Sequence, residues 1–160
     1  MSTTFSSLGP DRPRIHPTGL AADFLNRYNE PVMLLDLVPT EPDCLAEFLA
    51  WTPCSYVEHF TRSRFADRAY VLAAYSQAPL GSREALTSVV EEMSTIIVAT
   101  QVALRRESER AEQARIAHAA AQQLRRLLIT AGAIIHGRRR AQIANLQSDI
   151  DLLFAEQMAS

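Results

Sequence analysis

The residues best equipped for chemistry lie between Trp51 and Arg68. Cys54, Ser55, Tyr56, Glu58, His59, Arg62, Arg64, Asp67 and Arg68 all fall within that stretch. A histidine near two carboxylates can serve as a general base, with Glu58 or Asp67 orienting it, and the arginines can hold an anionic substrate. Trp51, Tyr56, His59 and Arg62 form the centre of this candidate polar cluster. The same residues also read as architecture. Ser55-Tyr56-Val57-Glu58 has the form of a capping box, Glu58 and Arg62 make an i, i+4 pair, and Trp51, Tyr56 and Phe60 suit a core. The architectural reading is the simpler, so an enzyme or small-ligand binder centred on residues 51–68 stands as an alternative. Cys54 and His59, five residues apart across a helix start, do not have the form of a nucleophilic pair.

His136-Gly137-Arg138-Arg139-Arg140 is the sharpest charge feature. Arg138, Arg139 and Arg140 are candidate anion contacts that can neutralise phosphates on nucleic acid or at a membrane surface. A solvated turn accounts for them equally well, and the remaining arginines do not extend the patch into a stripe. Taken as one helix at about 100° per residue, Arg105, Arg106, Arg115, Arg125 and Arg126 spread around its circumference. A nucleic-acid role is therefore a second alternative, not favoured. All sixteen basic residues are Arg, which fits coding bias across the whole chain better than one local site.

His118 lies in an alanine-rich run and invites comparison with phosphotransfer histidines. Those are followed shortly by Lys and Gly, whereas here Ala119, Ala120, Ala121 and Gln122 follow. No glycine cluster cradles phosphate, no serine sits in a nucleophile elbow, and no Glu-x-x-His pairing supports a di-iron bundle. Two cysteines, Cys44 and Cys54, make no zinc site without His partners. If helical between them they stand about 15 Å apart, too far for a disulfide. The reading is of free thiols in a reducing compartment, with no cofactor and no metal.

The elements that must position these groups are helical throughout. The 160 residues hold only five glycines and 48% hydrophobic residues, with 21% charged; that balance excludes wholesale disorder and allows a sizeable core. The β-formers are not gathered into alternating runs. Residues 1–17, with Pro10, Pro13 and Pro17, read as a flexible leader. A first helix is predicted from an N-cap at Thr18, with Leu20, Phe24 and Tyr28 on one face, a kink or break near Asn29–Pro31, and an end at Pro39. A second opens at Thr40-Glu41-Pro42-Asp43 and closes at Pro53. A third begins at Ser55 and runs to about Ser76, with a break near Ser63–Phe65 and apolar contact from Tyr70, Val71, Ala74 and Tyr75. Ala78-Pro79-Leu80-Gly81 reads as a loop.

From Ser82 to Thr130 there is neither Pro nor Gly. The pattern Val89, Met93, Ile96, Thr100 predicts one very long helix, or two joined near Arg105–Arg110, with a turn at Gly132–Gly137. In a last helix, about 138–158, Ile143, Leu146, Ile150 and Leu153 step by three, four and three, as in a coiled-coil seam. These four are the candidate interaction seam, and a seam shorter than three heptads needs a partner. Arginine outnumbers glutamate nine to three over residues 105–140, while residues 141–160 hold three acids and no base.

The fold class is thus all-α, a small helical unit (18–78) followed by a long helical hairpin (82–160), bundle-like, packed with the preceding unit or extending from it. The longest apolar runs, about ten residues each, are half what a membrane span needs, and the leader has no apolar core of a secretory signal. The expected protein is cytoplasmic and non-enzymatic, a helical interaction or regulatory protein that is a homo-oligomer or binds a helical protein partner.

Overall fold

The computed structural model describes residues 15–63 and 67–137. Among them are six helices and no strand: α1 (Phe24–Leu37), α2 (Pro42–Ala50), α3 (Tyr56–Arg62), α4 (Arg68–Gln77), α5 (Leu80–Arg106) and α6 (Arg110–Ile135). The fold is all-α. The two longest helices, α5 and α6, form a hairpin, and α1 packs along α6 to complete a three-helix body. Of the short helices, α2 packs on α1 and α5, α3 on α1, and α4 on α3.

The hairpin settles on two helices. The turn is Glu107-Ser108-Glu109, and both glutamates are extended there. Glu107 holds it from both ends. Its carboxylate accepts from the Glu109 amide at 3.0 Å, and its carbonyl accepts from Gln113 Nε2 at 2.6 Å. Arg105 and Arg106 close α5 where the helix dipole is negative, and Glu109 and Glu112 open α6 where it is positive.

The core joins large residues on α5 to small ones on α6. Met93 and Ile97 are fully buried, as are Ala117 and Ala121. Alanine lets the two backbones approach, and the α5 side chains fill the space, each such burial worth roughly 1.5–3 kcal/mol. The buried register of α5 is Leu86, Val90, Met93, Ile97, Thr100, Gln101 and Leu104. The expected positions Val89 and Ile96 sit at its edge, partly buried.

Several boundaries differ from expectation. The first helix begins at Phe24, not after Thr18. Residues 16–20 form a tight turn in which the His16 amide donates to the Leu20 carbonyl at 3.0 Å. Gly19 holds φ +84°, a conformation costly to any residue with a Cβ. Thr18 caps nothing near it; its hydroxyl donates to the Ile135 carbonyl at the far end of α6, at 2.6 Å. Helix α1 then runs through Pro31 without a break. Proline there costs about 3 kcal/mol, and burial of Val32, Leu34 and Leu35 on the same helix offsets it. Thr40 closes α1 by donating to the Leu37 carbonyl, and Glu41 is the N-cap of α2. Helix α5 begins directly after Pro79, so Leu80 and Gly81 are helical, and Gly132 lies inside α6. Gly137, at φ +77°, ends α6. Tyr70 is 59% exposed and outside the core.

Candidate functional site

The loop between α2 and α3, residues 51–55, organises the candidate cluster. A helix end leaves carbonyls without partners, and here side chains from distant helices supply them. Gln101 Nε2 donates to the Phe48 carbonyl at 2.9 Å and to the Trp51 carbonyl at 2.7 Å. An Arg105 guanidinium nitrogen donates to the Leu49 carbonyl at 2.9 Å. Arg27 donates to the Thr52 carbonyl at 2.7 Å and lies across the Trp51 ring, 4.9 Å from its centre.

Two tyrosines continue the pattern. The Tyr28 hydroxyl donates to the Cys54 carbonyl at 3.0 Å, accepts from the Cys54 amide at 3.3 Å, and meets Ser94 Oγ at 2.8 Å. The Tyr56 hydroxyl accepts from the Ala21 amide at 2.9 Å. Burial raises the pKa of both, Tyr56 to about 12. At neutral pH they are therefore hydrogen-bonding phenols, not acids or bases.

Ser55 caps α3 as its sequence requires, accepting from the Glu58 amide at 3.1 Å. His59, one residue on, is half-buried. It stands edge-on to Phe24 at 5.6 Å and to Phe60 at 4.8 Å. Burial lowers its pKa, the nearby Arg27 charge lowers it further, and Asp23 opposes both. Arg62 is exposed at the end of α3. Of the proposed centre, then, Trp51 and Tyr56 are core residues, His59 is packed among rings, and Arg62 faces solvent.

Cys54 and Cys44 are both free. Burial raises the Cys54 thiol pKa, and its Sγ donates to the Ser55 carbonyl at 3.4 Å. An activated cysteine has a lowered pKa, so this thiol is placed for packing. Beside it runs a shallow groove of about 540 Å³ with Tyr28, Cys54, Glu58 and Glu91 among its walls. It continues along α5 past Ser94 and Thr95 to Val98. Among the described residues no group of His, Cys, Asp and Glu could hold a metal ion, and no helix is long and apolar enough to cross a membrane.

The other candidates lie elsewhere. His118 is exposed on α6. Arg138, Arg139 and Arg140 and the seam Ile143, Leu146, Ile150 and Leu153 lie outside the described residues. With the helix broken at Glu107–Glu109, the phases of the arginines change. Arg115, Arg125 and Arg126 all belong to α6, and Arg125 forms an ion pair with Asp36 of α1. The Gln101 latch carries no sequence motif; only a glutamine at an otherwise apolar register position hints at it. Compared with protein-family models, with curated proteins and with solved structures, the chain matches none.

Proposed function

We propose that the chain is a non-enzymatic helical interaction protein, acting by self-association or by binding a partner helix. The observation that carries this reading is the outer face shared by α1 and α6. Met33 and Leu37 on α1 are 60% and 40% exposed, and Ile129 on α6 is 42% exposed. They gather around the Asp36–Arg125 pair, where α1 and α6 meet. Large apolar side chains grouped on one face mark an interaction surface, whereas scattered ones need no explanation. The groups with catalytic potential, in contrast, are engaged: Tyr28, Tyr56, Arg27 and Gln101 hold backbone groups in place.

Light scattering coupled to size exclusion, at low and high salt, tests the reading on the full chain and on a chain ending at Arg140. A dimer that dissociates without residues 141–160 supports self-association through the seam. A monomer that associates only once those residues are removed supports an apolar face open to a partner helix. Monomers in both, with no binding of a peptide spanning residues 141–160, would refute the proposal.

A further inference from the structure

The face around Asp36 and Arg125 is self-complementary. Helices α1 and α6 run antiparallel across it, since Leu25 approaches Gly132 near one end while Asp36 pairs with Arg125 near the other. The two banks of the face differ in charge. Helix α1 presents Glu30 and Asp36, both exposed. Its one base, Arg27, is drawn away to the Trp51 ring and the Thr52 carbonyl. Helix α6 carries four arginines against the single Glu112.

The central pair has capacity to spare. One carboxylate oxygen and one guanidinium nitrogen make the ion pair, while Asp36 and Arg125 keep 40% and 46% of their side-chain surface in water. A carboxylate can accept up to about four bonds and a guanidinium can donate about five. Each charge can therefore take a second partner of opposite sign.

A second copy can sit on this face with two-fold symmetry in two ways. With the axis across the helices, α1 lies on α1 and α6 on α6, which sets acid on acid and arginine on arginine. With the axis parallel to the helices, α1 of each copy lies on α6 of the other. Charge selects the second. That operation leaves height along the helices unchanged, so Asp36 of one copy meets Arg125 of the other at the level where the two already pair within the chain. The four charges then alternate in sign around a ring.

The apolar residues follow the same operation. Met33 lies about 4.5 Å along α1 from Asp36, and Ile129 about 6 Å along α6 from Arg125. Because the helices are antiparallel, both displacements point the same way. Met33 of each copy therefore comes level with Ile129 of the other, and both side chains are exposed in the single chain.

We infer that the chain forms a symmetric dimer through its α1–α6 face, the two-fold axis parallel to those helices. Asp36 of each copy pairs with Arg125 of the other, and Met33 packs on Ile129 of the other. The inference deepens the interaction reading and rests on it, naming a second copy as the partner. The apolar contact is narrow, so the dimer is weak and concentration-dependent. The charges set its orientation and register more than its affinity.

Sedimentation velocity on the full chain, at concentrations up to about 1 mM, tests this. The wild-type chain passes from monomer to dimer. Asp36→Arg alone, or Arg125→Asp alone, sets like charges at both cross-copy contacts and raises the dissociation constant about tenfold or more. Both residues are partly exposed, so each variant keeps the fold, which circular dichroism checks. In an equimolar mixture of the two variants the cross-copy contacts are opposite in sign again. A mixed dimer then forms with a constant within about threefold of wild type, although neither chain has its internal pair. A wild-type chain that stays monomeric throughout would overturn the inference and leave a partner helix as the occupant of the face. Single variants that dimerise like the wild type would also overturn it, and would move self-association to another surface. So would folded single variants that dissociate and do not recombine in the mixture, which confines the Asp36–Arg125 pair to holding α1 on α6.

Discussion

Replacing Gln101 with leucine tests whether the end of α2 is held from α5. The side chain is buried, at 6% exposure, and its amide donates to two carbonyls. Leucine has similar volume and no donor. The Trp51 carbonyl then loses its bond in a buried setting, a loss of about 1–3 kcal/mol. The Phe48 carbonyl keeps its bond from the Trp51 amide, so its second bond accounts for about 0.5–1.5 kcal/mol. Apolar burial by leucine returns about 1 kcal/mol. The net is a destabilisation of about 0.5–3.5 kcal/mol, or a fall in melting temperature of about 1–14 °C for a chain of this size. Urea unfolding followed by circular dichroism measures it, with the slope unchanged if the folded state is otherwise intact. Gln101→Glu sharpens the test. At neutral pH a carboxylate would face two carbonyl oxygens with no proton to give, so it should be less stable than the leucine variant. Below its pKa the acid can donate to one of them, and the deficit relative to wild type should shrink. If the leucine variant is as stable as wild type or more so, and the glutamate variant is no worse than the leucine one, the latch does not hold the loop.

Three further outcomes are expected. Gly19→Ala should destabilise by about 1–3 kcal/mol, because its Cβ would stand 2.9 Å from the Ala74 carbonyl oxygen at φ +84°; Gly81→Ala, which meets open space, should gain about 0.4–1 kcal/mol, and equal effects from both would contradict the backbone argument. Tyr28→Phe removes the hydroxyl shared by the Cys54 backbone and Ser94, so it should cost about 1–3 kcal/mol and raise amide exchange at residues 52–55. The His59 pKa is lowered in the folded state, so below pH about 6.5 the unfolded chain binds more protons and stability should fall with pH; a His59→Gln variant should lose this component of the pH dependence, and an unchanged acid limb would remove His59 as its source.

The sequence was most informative where local chemistry decides structure. Pro42 in the first turn of α2 and the Ser55 cap of α3 are visible as motifs and appear as expected. Glu107–Glu109 was harder, since no Gly or Pro marks the turn. The available signal was charge order, with Arg105 and Arg106 followed by Glu107, Glu109 and Glu112, the arrangement of one helix end followed by another's start. Thr18 misled because a good capping residue is equally good at a distance, and its hydroxyl serves Ile135 instead. Gln101 and Arg105 likewise act on carbonyls some fifty residues away, a separation that no local pattern encodes. The sequence already favoured a core role for Trp51, Tyr56 and Phe60, and all three are buried; what it could not supply was their partners, the rings of Phe24 and Tyr28 on a different helix.

The pairing of Thr18 with Ile135, and of the His16 and His136 rings at 4.2 Å, has a topological consequence. The two ends of the described residues meet at one pole of the bundle, and the α5–α6 turn lies at the opposite one. The two ends of the described body can therefore be joined by a short linker and the chain reopened between Glu107 and Glu109 without crossing the core. A permuted form of residues 15–137 would keep all six described helices but exchange the hairpin, the most local of its long pairings, for one closed by the new linker. Its folding rate would then report how far the α5–α6 turn directs assembly.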